Sequence, residues 1–128
     1  MRLLLDTQIV IWAATDDPRL GVAGRVLIGD ASNQIVVSVI SLWEVAIKFS
    51  LGRADFRHSA AELRSGILRV GWEELEMKGE HALAVSDLPD IHSDPFDRIL
   101  LAQARWEDMP LLSADRTLWQ YGDPVQRV

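Results

Sequence analysis

Apolar residues fall along the chain in two patterns, short continuous runs and stripes at helical spacing. The run Leu3 to Leu5 in "MRLLLDT" is closed by Asp6 and Thr7, which predicts a buried strand leading into a helix start. A helix is expected over "TQIVIWAAT", and "DDPRLG" supplies turn chemistry. "VAGRVLIGDA" carries apolar positions at helical spacing, and the β-branched run of "NQIVVSVIS" predicts a second buried strand. "SLWEVAIKFSLGR" resumes the helical period and stops at Gly52. Beyond a loop with Phe56 and His58, "SAAELRSGILRV" reads as helix, "WEELEM" as a short strand, and "GEHALAVSDLP" as a helix ended by Pro89. "PFDRILLAQARWED" predicts another helix, "MPLLSAD" a strand running into a helix start, and "PVQRV" a last edge strand.

Strands thus alternate with helices, without repeats or a long linker. The expected fold is α/β, a three-layer α/β/α sandwich with a mostly parallel central sheet. The length of 128 residues fits one domain, 1–128, with a core of its own. In such folds helix N-termini and strand C-termini gather along one edge of the sheet, where ligands bind.

Composition narrows the function. Hydrophobic residues at 48% and charged residues at 25% are the balance of a folded chain. No cysteine is present, which excludes disulfides and thiolate metal sites. The apolar start at Leu3–Leu5 is too short for a signal-peptide core or a membrane span, so a cytoplasmic protein is expected. Thirteen basic against nineteen acidic residues give a net charge of −6, which argues against a broad basic face for nucleic acid. Any phosphate substrate has to be met locally.

The acids suggest where. Asp6 follows the first strand, Asp115 follows "LLS", Glu44 lies in Ser41-x-x-Glu44, and Asp94 and Asp97 flank Pro95 and Phe96 at a helix start. Each has a structural reading: Asp6, Asp94 and Asp115 as N-caps, with Ser113 a second candidate cap, Ser41 and Glu44 as a capping box, and Asp97 at the positive helix pole. Those readings do not explain why acids stand at the starts of so many helices whose poles the fold collects on one edge. Several carboxylates in one pocket repel unless a divalent cation neutralises them, and hard oxygen donors suit Mg²⁺ or Mn²⁺.

Together, "LLLDT", "SLWEVAIK", "HSDPFDRILLAQA" and "LLSAD", in this order and spacing, resemble the PIN-domain nucleases, and within them the VapC-like toxins of type II toxin–antitoxin pairs. The resemblance spans nearly the whole chain. It implies the PIN-like parallel sandwich and a metal-dependent endoribonuclease that hydrolyses RNA phosphodiester bonds with carboxylate-bound Mg²⁺ or Mn²⁺. The metal-binding and catalytic acids would be Asp6, Glu44, Asp97 and Asp115, with Asp94 in the same local pattern. Ser113 stands where the family often has Thr. The implied partners are RNA, a small cognate antitoxin protein and a second copy in a homodimer. The competing reading is a catalytically silent interaction module of the same fold. A phosphoacceptor receiver domain fits poorly, because neither Lys48 nor Lys78 ends a late strand.

Supporting positions carry two readings each. Thr7 and Ser113 would bond ligands or phosphate, or cap helices. Arg98 and Arg116 would hold substrate phosphates, or pair with nearby acids as surface residues. His58, His81 and His92 lack the short paired spacing of a zinc site and read as loop or surface residues. Trp12, Trp43, Trp72, Trp106 and Trp119 read as packing residues. "IVIWAA" and "WEVAIKF" are candidate partner-contact segments, with ordinary burial as the alternative.

Overall fold

Five strands form one all-parallel sheet in the computed structural model, which describes residues 1–128. Strand β1 (Arg2–Leu5) is followed by helices α1 (Thr7–Ala14) and α2 (Val22–Gly29). Strand β2 (Gln34–Ser38) leads into α3 (Val39–Ser50) and α4 (Ala60–Arg69), then β3 (Glu73–Leu75). A short helix α5 (Gly79–Ala84) continues as a single 3-10 turn, Val85–Asp87, before the long helix α6 (Pro95–Trp106). Strand β4 (Leu111–Ser113), helix α7 (Arg116–Trp119) and strand β5 (Val125–Arg127) complete the chain.

The strand order is β3-β2-β1-β4-β5. Strand β1 is central, with Leu4 beside Val36 of β2 on one side and Leu111 of β4 on the other. A parallel strand covered on both faces has no polar side to present, which is why "LLL" is continuous rather than alternating. Leu3 and Leu5 face a cluster with Ile9 and Val10 of α1, Ile35, Val37, Phe56, and Leu63 and Ile67 of α4. Leu4 faces the opposite cluster, with Val36, Leu100 and Leu101 of α6, Leu111 and Leu118. Helix α3 contributes to both, through Val45 to the first and Ile40 to the second.

Chain direction reverses its progress across the sheet between β1 and β4. Connections from β1 step outward to β2 and β3, and those from β4 step the other way to β5. In open parallel sheets the C-terminal ends of strands at such a switch point frame a crevice. The residues immediately after β1 and β4 are Asp6 and Ala114-Asp115.

Two local readings are corrected. The second strand ends at Ser38, and Val39 to Ser41 belong to α3. Ser38 is the N-cap, its hydroxyl accepting from the Ile40 N–H at 3.0 Å. Ser41 and Glu44 therefore form no capping box; both are buried inside α3, where a spacing of three puts them on one face. The predicted helix ahead of Pro89 also breaks earlier, ending at Ala84 before the 3-10 turn. No helix is long and apolar enough to cross a membrane.

Candidate metal centre

Asp6, Glu44, Asp94, Asp97 and Asp115 line one cleft of about 280 Å³ at the switch point. Their elements explain the meeting. Asp6 leaves β1 and still closes the ladder to β4, its N–H bonding Leu112 O at 3.0 Å. Asp97 sits in the first turn of α6, and Asp115 sits at the start of α7. Glu44 lies one turn along α3 from Ser41, whose hydroxyl accepts from Thr7 Oγ1 at 2.9 Å and so ties α3 to the start of α1. Asp6, Glu44 and Asp97 are buried, between 5% and 9% exposed, and that burial makes their charges costly.

The capping readings separate here. Asp94 caps α6, accepting from Phe96 N–H at 2.8 Å and Asp97 N–H at 3.4 Å. Asp115 caps α7 with Oδ1, which accepts from Thr117 N–H at 2.8 Å, and turns Oδ2 to His92 Nε2 at 3.0 Å. Asp6 occupies the N-cap position of α1, yet its side chain caps nothing and accepts from Ser113 Oγ at 2.7 Å. Ser113 also accepts from Asp115 N–H at 3.0 Å, so one hydroxyl orients both acids. Thr7 makes no contact with these carboxylates through its hydroxyl, which goes to Ser41.

Charge crowding is the dominant electrostatic fact. Burial first, then the charges of Asp6, Asp94, Glu44 and Asp115, push Asp97 up to about 9. Burial raises Asp6 to about 6 against the Ser113 hydrogen bond, with Glu44 and Asp115 adding to the rise. Asp115 goes the other way: burial opposes its charge, but hydrogen bonds from His92 and from backbone N–H groups outweigh it and hold the carboxyl below its usual range. Glu44 pairs through Oε2 with Lys48, while its Oε1 is buried without a partner. An orphaned carboxylate oxygen inside a cleft lined by five acids fits a hard divalent cation.

His92 is the residue that the spacing of the histidines gave no reason to select. It is neither a free loop residue nor a surface one: it is mostly buried, its Nε2 lying 3.0 Å from both Asp97 Oδ2 and Asp115 Oδ2. His58 is exposed beside Glu62, and His81 is fully buried, its Nδ1 accepting from Lys78 N–H at 3.0 Å.

The arginines divide. Arg98 pairs with no acid; its Nη1 donates to Pro89 O, His92 O and Tyr121 Oη, and its Nη2 to Val85 O, at 3.2–3.4 Å. It clamps the loop that carries His92. Arg116 is exposed and unpaired next to Asp115. Trp12 lines the cleft, Trp43 is more than half exposed yet packs edge-on against Phe96, and Trp106 is more than half exposed. A second groove of about 440 Å³ lies away from the acids, lined by Ile11 and Ala14 of α1, Phe56, and Leu63, Ile67 and Val70 around α4.

The PIN domain family model matches residues 3–123. No curated protein matches the sequence. Among solved structures, VapBC2 from Rickettsia felis bound to a DNA fragment from its promoter is similar, with a TM-score of 0.69 at 15% identity, covering 100% of this chain and 98% of that one. VapBC-1 from nontypeable Haemophilus influenzae gives 0.66 at 20% identity, with 100% and 97% covered. DNA-bound VapBC from Salmonella typhimurium gives 0.69 at 15% identity, with 100% and 97% covered.

Proposed function

The chain belongs to the PIN domain family, and on that basis we propose that it is a Mg²⁺- or Mn²⁺-dependent endoribonuclease, the toxin of a toxin–antitoxin pair. The observation that carries this reading is the meeting of acids from four separate elements in one cleft, with a buried Glu44 oxygen left unpartnered. Asp6, Asp97, Glu44 and Asp115 are the proposed ligands and catalytic acids. When bound, the cation would lower the pKa of a water, polarise a phosphoryl oxygen and stabilise the leaving alkoxide.

The chain's own groups do the arranging. Ser113 fixes Asp6 relative to Asp115, and the Thr7–Ser41 bond fixes the start of α1 against the helix that carries Glu44. Lys48 neutralises one Glu44 oxygen and leaves the other available. With a net charge of −6, phosphates of an RNA strand need local cations, and Arg116 is placed to supply one.

The antitoxin reading draws on the VapBC complexes that share this fold. The apolar groove between α1 and α4 takes Ile11, Ala13 and Ala14 from "IVIWAA" and Val45 from "WEVAIKF", and is the surface assigned here to an antitoxin segment. Homodimer formation is part of the same proposal. Purified protein incubated with RNA is expected to cleave it with Mg²⁺ or Mn²⁺ and to stop in EDTA. Cleavage of equal rate in EDTA would refute the metal mechanism, and no cleavage under any metal would leave a silent interaction module.

A further inference from the structure

We infer that His92 is a positioning residue of the metal centre, holding Asp115 from outside the ion rather than ligating it; this rests on the metal-centre reading above. Its ring joins two helix starts. Nδ1 accepts the Asp94 N–H at 3.2 Å, and Nε2 lies 3.0 Å from both Asp115 Oδ2, its hydrogen-bond partner, and Asp97 Oδ2. A nitrogen that accepts a backbone N–H carries no proton, so the ring proton sits on Nε2. Nε2 is then a donor, and a donor cannot offer a lone pair to a cation.

His92, Asp97 and Asp115 offer donor atoms within 4.8 Å of one another, which taken alone would suggest a three-ligand site. The Asp94 N–H decides against it, because neutral imidazole could bind a metal through Nε2 only by moving its proton to Nδ1 and giving up that bond. What the ring does instead is occupy one lone-pair direction of Asp115 Oδ2, while Thr117 N–H occupies Oδ1. Both oxygens are thereby oriented. Arg98 and Tyr121 keep the ring in place, Arg98 through His92 O and Tyr121 Oη by accepting the His92 N–H at 2.9 Å. The hydrogen-bonded partners of metal-bound carboxylates and imidazoles typically matter 10–100-fold in metal affinity.

The test uses the 128-residue protein and Mg²⁺ as the probe. Long-range ¹H–¹⁵N spectra of the histidine rings are expected to show His92 protonated at Nε2 and bare at Nδ1, both in EDTA and with saturating Mg²⁺. Calorimetric titration should give His92→Leu a Mg²⁺ affinity about 10–100-fold weaker than wild type. His92→Gln, whose amide carries an acceptor and a donor, should recover most of the loss. The inference is overturned if Nε2 loses its proton when Mg²⁺ binds, if His92→Leu binds within twofold of wild type, or if Gln is no better than Leu. Wild type that binds no Mg²⁺ at all would instead remove the metal centre on which the inference stands.

Discussion

Asp97→Asn separates a crowded metal site from an ordinary helix start, because the two assign opposite signs to the loss of one charge. Asp97 is 9% exposed, and burial together with four neighbouring acids pushes it from 3.8 up to about 9. A carboxyl raised in the fold keeps its proton there and loses it on unfolding, so its contribution is fully present below pH 4 and is lost as pH rises toward 9. Each pH unit within that window costs up to about 1.4 kcal/mol, which sets a ceiling of roughly 4 kcal/mol at pH 7. Asn removes the titration while its Oδ1 still faces His92. In EDTA at pH 7 the variant should therefore be more stable by roughly 2–4 kcal/mol, or on the order of 10 °C in Tm for a domain of this size. The gap should close as pH falls to 4. Excess Mn²⁺ offsets most of that advantage: at a hundred times Kd, wild type gains roughly 2.7 kcal/mol and Asn gains little. Thermal melts of both proteins at pH 4 to 9, with EDTA and with Mn²⁺, measure all of this. A variant less stable by about 0.5–2 kcal/mol at every pH, with the Mn²⁺ gain intact, would mean that Asp97 only starts a helix.

Two further outcomes test the surroundings. Arg98→Met should cost about 1–3 kcal/mol in chemical denaturation, because it strips a charged donor from the carbonyls of Val85, Pro89 and His92; unchanged stability with weakened RNA binding would make Arg98 a substrate contact instead. Ala14→Glu combined with Val70→Asp changes exposed groove-lining positions and should leave stability within about 1 kcal/mol while cutting antitoxin affinity at least tenfold in a pull-down titration; undiminished binding would move the antitoxin off this groove.

The sheet was legible because β1 and β2 are buried on both faces and have to be continuous apolar runs, a pattern that needs no tertiary knowledge. The end of β2 was not, since Val39 and Ile40 prolong the β-branched run although the helix has already begun at its Ser38 cap. Ser41 and Glu44 were misread for a related reason: a spacing of three serves a capping box and one face of a helix interior equally well. The acids were legible as a set because their positions after strands or at helix starts, together with sheet topology, require convergence. Asp94 and Asp115 are caps as well, so cap and site were never exclusive at those positions. His92 was not selected because its contacts are acids rather than a second histidine, and Asp115 lies 23 residues on, beyond any local spacing rule. Arg98 was selected, but for phosphate or acid contacts, since its acceptors are carbonyls and a phenol that residue type does not reveal.

Anomalous diffraction from crystals grown with Mn²⁺ tests the metal centre most directly. A Mn²⁺ peak is expected inside the cleft within ligand distance of Asp6, Asp97 or Asp115 oxygens, and is lost in Asp97→Asn. No peak at saturating Mn²⁺, or one bound away from these carboxylates in protein that still cleaves RNA, would contradict it.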